Sequence, residues 1–68
     1  MMNDSNLQRA ATSLLHRLGE QGPIRALIRA AALRAKGRHR DAEAWKDIAA
    51  LATRDLAARI GLEQLLRV

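Results

Sequence analysis

Apolar positions recur along most of this chain with a helical period. Leu7, Ala10, Ala11, Leu14, Leu15 and Leu18 fall on one side of a 3.6-residue wheel, and Gln8, Arg9, Thr12, Ser13 and His16 take the other. This spacing predicts a first helix over 5–18. Ser5 with Gln8 three residues on matches a capping box, and Gly19 is a natural left-handed stop.

A second helix is predicted over 23–36. Pro23 suits the first helical position, where its missing N–H has no partner to lose, and Gly37 closes the helix. One face carries Ile24, Leu27, Ile28, Ala31 and Ala35, the expected core side. A weaker strip of Ala26, Ala30 and Leu33 lies nearly opposite, with Arg25, Arg29 and Lys36 as a basic stripe between. A helix that is apolar on two sides has two neighbours, or one neighbour and a partner protein.

The third helix is predicted over 41–59. Asp41, Glu43 and Asp47 stand in its first two turns, where the helix dipole favours acids. Its buried face is Ala42, Trp45, Ile48, Ala49, Ala52 and Leu56, and Asp55 with Arg59 makes a favourable i,i+4 pair. Gly61 is expected to end it, leaving Leu62, Leu65 and Leu66 to a last amphipathic turn. β-Branched residues are too few to support strands. The expected fold is therefore all-α: a small three-helix bundle with a short C-terminal helical turn, in one domain spanning 1–68. Trp45, Ile48 and Leu56 are expected to pack against Leu14, Leu18, Ile24, Leu27 and Ile28.

Composition makes this core thin. Apolar residues are 49 % of the chain, but many are alanine, and Trp45 is the lone aromatic. Trp45 reads as the large residue filling an alanine-rich core, with an interface anchor as the rival role. Cysteine is absent, so no disulfide can staple a chain of 68 residues, a length near the lower limit for independent folding. Association is the simplest remedy. The apolar positions left over for it are Ala26, Ala30 and Leu33 on the second helix and Leu62, Leu65, Leu66 and Val68 at the C-terminus. Leu33, Leu62, Leu65 and Leu66 are thus the candidate partner-binding residues. The C-terminal leucines are favoured as the contact, because Arg25 and Arg29 would repel their own copies.

The net charge of +5 sits entirely in the middle of the chain. Arg25, Arg29, Arg34, Lys36, Arg38 and Arg40 occur with no acid between residues 21 and 40, whereas both flanks nearly balance. Arginines around a turn can grip phosphates, so these six are the candidate nucleic-acid contacts. The stretch lacks interleaved aromatics for base stacking, and the helix after it opens with acids, which suits groove reading poorly.

Candidate chemistry is otherwise sparse. Ser5 and Ser13 lie on a cap and a polar face, and His16 has no acid beside it by local spacing. No glycine-rich phosphate loop or metal-ligand spacing occurs. No catalytic residue, cofactor, metal or small-molecule substrate is expected, and the chain is read as no enzyme. The polar N-terminus lacks the basic and apolar regions of a secretory signal. No 18-residue stretch is free of charge, and the second helix lacks the aromatic anchors of a membrane-surface helix. No membrane association and a cytoplasmic location are the expectations.

The segment 31–52 resembles one tetratricopeptide-type helical hairpin. Gly37 falls at its turn, Ala42 and Ala49 fit its small helix-contact positions, and Trp45 stands near its bulky aromatic position. Lys46 stands where that pattern is apolar, and the closing proline is missing. The run Trp45-Lys46-Asp47-Ile48-Ala49 after a glycine is also similar to a Trp-Lys-x-Ile-Ala helix in small alphaproteobacterial proteins of uncharacterised function. Both resemblances imply a protein-binding helical module. The reading is a small adaptor or regulator that docks on another protein or on a second copy, forming a homodimer. The alternative is a small basic nucleic-acid-binding protein using the 25–40 segment.

Overall fold

A computed structural model describes residues 4–66, with side chains from Ser5 onward. Three helices follow one another: α1 over Asp4–Leu18, α2 over Gln21–Ala35 and α3 over His39–Leu66. The described residues contain no strand. The fold is the expected small all-α three-helix bundle, with helix ends that differ in instructive places.

Both turns are made by glycine. Gly19 has φ 56° and Gly37 has φ 79°, the left-handed region that a Cβ makes costly. At the second turn the Gly37 N–H donates to the Arg34 carbonyl (3.0 Å) and the Arg38 N–H to the Leu33 carbonyl (2.9 Å). This is the paired closure of a Schellman motif. It stops α2 abruptly and sends α3 back along it.

α2 starts two residues before the expected Pro23, which still lies in the first turn, where no intrahelical N–H is needed. α1 starts at Asp4, so Ser5 is inside the helix and the capping box does not form. Gln8 instead donates through Nε2 to Asp55 Oδ2 of α3 at 2.8 Å. This bond engages the carboxylate expected to pair with Arg59, and no Asp55–Arg59 ion pair forms among the described residues.

Gly61 does not end α3. The helix runs through it to Leu66, so the expected separate C-terminal turn is a continuation of α3. A helical glycine costs only about 1 kcal/mol, and no proline follows to add to it. The consequence is length. At 1.5 Å per residue α3 is roughly 42 Å long against roughly 22 Å for α1 or α2, and the molecule measures 48 × 21 × 16 Å.

The core is narrow. Ala11, Leu14, Leu15, Ala26, Ile48, Ala49 and Ala52 form its centre, with Leu7, Ala10, Trp45, Leu51 and Leu56 packed around it. The described core holds no polar side chain. α1 and α3 bury the faces expected of them, except that Leu18 is exposed.

α2 is turned the other way. Gly22, Pro23, Ala26 and Ala30 are its buried residues, so the weaker strip, expected to be spare, is the core face. Ile24, Leu27 and Ile28, expected in the core, are 51, 54 and 58 % exposed. Close approach explains the choice. A Cβ on Gly22 would lie 3.3 Å from both Cγ and the carbonyl oxygen of Leu14, so α1 and α2 touch backbone to side chain at their hairpin. Small residues on α2 admit that contact, and a face of isoleucine and leucine would hold the helices apart.

Candidate docking surfaces

The antiparallel packing of α2 on α3 sets what is covered. Arg29 lies over the Trp45 ring, 5.5 Å from its centroid, and Arg34 bonds Glu43 at 3.2 Å. Continuing this register places the start of α2 near Arg54. α1 reaches slightly further, since Ser13 and His16 share a shallow depression with Arg59. α3 therefore runs on past the start of α2, and each of its residues from Ala57 to Leu66 is exposed.

Two apolar surfaces result. The first is the outward stripe of Ile24, Leu27, Ile28 and Ala31 on α2, all exposed. The second is the α3 tail, where Ile60, Leu62, Leu65 and Leu66 are exposed. Val68, grouped with the tail by sequence, lies outside the described residues. Leu33, the remaining candidate partner contact, is half-buried and faces Arg29, Asp41 and Trp45 in a small hollow. It belongs to the α2–α3 seam and is not part of either surface. Sequence reasoning missed the α2 stripe as a surface because it took the larger side chains for the core face.

The six basic candidates divide. Arg25, Arg29, Lys36 and Arg38 line one shallow groove along α2 with Ile28, Ala32 and Leu33. Arg34 lies on another side, where it and Lys46 share Glu43. Arg40 sits in a separate depression with Leu7, His39 and Asp47. Arg38 is paired with Asp41 at 2.7 Å, and Arg29 covers Trp45. Arg25 and Lys36 form no ion pair among the described residues. All these pairs are exposed and contribute ~0–1 kcal/mol each.

The chain matches no family model, no curated protein and no solved structure.

Chemistry-bearing side chains are not gathered. Among the described residues no cluster of three or more His, Cys, Asp or Glu could hold a metal ion. Ser13 and His16 share their depression with Gln8, Arg9, Thr12 and Arg59 but with no acid. No described helix is long and apolar enough to cross a membrane.

Proposed function

We propose that this chain is a small non-enzymatic helical interaction module, an adaptor or regulator acting in the cytoplasm by docking. One observation carries the reading. The described chain exposes eight large apolar side chains, Leu18, Ile24, Leu27, Ile28, Ile60, Leu62, Leu65 and Leu66, while Leu14, Leu15 and Ile48 are the only large ones it buries. Contiguous apolar surface on a small protein marks a place where something binds. The α2 stripe has the i, i+3, i+4, i+7 spacing by which helices dock into grooves or onto other helices. Basic residues border it on both sides, Arg25 on one and Arg34 with Lys46 on the other, which suits an amphipathic partner segment with acidic flanks. The likeness of the 31–52 hairpin to a tetratricopeptide-type unit fits the same reading.

A photo-reactive residue replacing Leu27 tests it in cells. It should give a discrete adduct, and the same residue replacing Ser13 on the polar face of α1 should not. Equal labelling at both positions, or none at Leu27, would sink the docking reading.

A second reading is supported by the groove of Arg25, Arg29, Lys36 and Arg38, in which four cations share one wall. Nucleic acid held there would be released steeply by salt, since each neutralised phosphate frees a counterion. Arg25→Ala with Lys36→Ala, the two cations free of ion pairs, should flatten that slope by roughly two. No binding at low salt in a fluorescence-anisotropy titration would end the nucleic-acid reading.

A further inference from the structure

We infer that the outward stripe of α2 receives an amphipathic helix with acidic residues along both edges of its apolar face, more of them on the edge beside Arg25 and Lys36. The inference rests on the docking reading and names the chemistry of the partner at one of its two surfaces.

The stripe has the layout of one half of a two-helix contact. Ile24, Ile28, Ala31 and Ala35 follow one another at intervals of four, three and four, with Leu27 beside them. This is the repeat with which one helix presents a continuous edge to another. All five are exposed, and Gly22, Pro23, Ala26 and Ala30 bury the opposite side of α2. From Ile24 to Ala35 the stripe runs roughly 16 Å, about three turns.

Charge along its two edges selects the occupant. On one edge Arg25, Arg29 and Lys36 are exposed. Asp41 lies toward this side, but Arg38 holds it at 2.7 Å. Arg25 and Lys36 have no ion pair among the described residues, and Arg29 lies over the uncharged Trp45 ring. On the other edge Arg34 and Lys46 share a single carboxylate oxygen of Glu43, at 3.2 and 3.5 Å. One acid between two cations leaves positive charge in excess there too. α2 itself contains no acid, and Glu20 precedes it. The surface is therefore apolar along its centre and positive on both edges, more strongly on the first. Its complement is a helix with acids flanking an apolar seam, at the positions that set partner choice between paired helices.

The same pattern fits other occupants less well. A second copy of α2 would set cationic rows against cationic rows, with no acid on either helix to separate them. Nucleic acid could meet the cations but would leave Ile24, Leu27 and Ile28 facing a phosphate backbone. A bilayer surface would take the apolar centre, but α2 has no aromatic residue at its rim, the lone Trp45 lying in the α2–α3 seam under Arg29.

The test uses the full chain and a displayed library of helical peptides, about four turns long. Their apolar seam is fixed as leucine, and the flanking positions on both edges are varied among Glu, Gln and Lys. Selection should enrich Glu over Lys on both edges, and the enriched peptide should bind at least about tenfold more tightly than its Gln counterpart at low salt. Arg25→Glu with Lys36→Glu should switch the preference to Lys on one edge and leave Glu on the other. Ile24→Gln with Ile28→Gln should abolish binding while circular dichroism shows retained helicity, since both side chains are exposed. No enrichment, equal binding of the Glu and Gln peptides, or a preference that ignores the charge reversal would overturn the inference. So would loss, on the Ile24 and Ile28 substitutions, of self-association or of binding to phosphatidylglycerol vesicles when no peptide is enriched. The docking reading fails separately, on a missing adduct at Leu27: an adduct there without acidic enrichment leaves docking standing and removes the acidic helix as the partner.

Discussion

Ile48→Ala is expected to unfold a large part of the population. Ile48 is 2 % exposed and is the largest fully buried side chain among the described residues. It belongs to a cluster in which Ala11, Ala26, Ala49 and Ala52, with no rotamers to fill a vacated volume, outnumber Leu14 and Leu15. Truncations of this kind cost ~2–5 kcal/mol, the upper end where the site cannot collapse. A domain of this size holds about 3–10 kcal/mol in total, so one side chain accounts for a large share. Urea unfolding followed by circular dichroism measures the loss. Ile28→Ala is the matched control: the same atoms are removed from a side chain 58 % exposed, and the change should stay within about 0.5 kcal/mol. Equal losses at the two sites would refute the orientation of α2 described above.

Trp45→Ala should rank next, at ~2–4 kcal/mol, below the 3–5 kcal/mol of a fully buried aromatic. Trp45 is half-buried: one side packs on the core cluster and the other lies under the Arg29 guanidinium. Arg29→Ala should remove ~0.5–1 kcal/mol of cation–π attraction and shift the emission of the single tryptophan. Because the residues touch, the two losses should not add, and a double-mutant cycle reads the difference. An unchanged melting curve for Trp45→Ala would make Trp45 an interface anchor and would take it out of the fold.

These two predictions rest on features of different legibility. The buried faces of α1 and α3 were readable because each has one apolar side and one polar side, so periodicity alone orients the helix. Both glycine turns were readable because a left-handed residue leaves few alternatives to glycine. Gly61 was misread by the same rule: glycine permits a stop, but continuation costs little when the residues around it are helix formers. Gln8 was misread as a local cap because a partner 47 residues away leaves no mark in local spacing. Among the candidate contacts, Leu62, Leu65 and Leu66 are exposed as the docking reading requires, and Leu33 is drawn into the α2–α3 seam.

By itself the sequence determined that the chain is helical, where its two turns fall, which sides of α1 and α3 are buried, and that the core is too thin to absorb every apolar residue. These follow from local propensity and from one-sided periodicity. The rotation of α2 was decided only by the tertiary structure. Hydrophobicity points Ile24, Leu27 and Ile28 inward, but packing follows shape as well as hydrophobicity. With α1 and α2 in contact at Gly22 and Leu14, and Trp45 occupying the space beside Arg29, the gap admits alanine and not isoleucine. The larger side chains of α2 are therefore left on the surface, and the length of α3 does the same for the leucines of its tail.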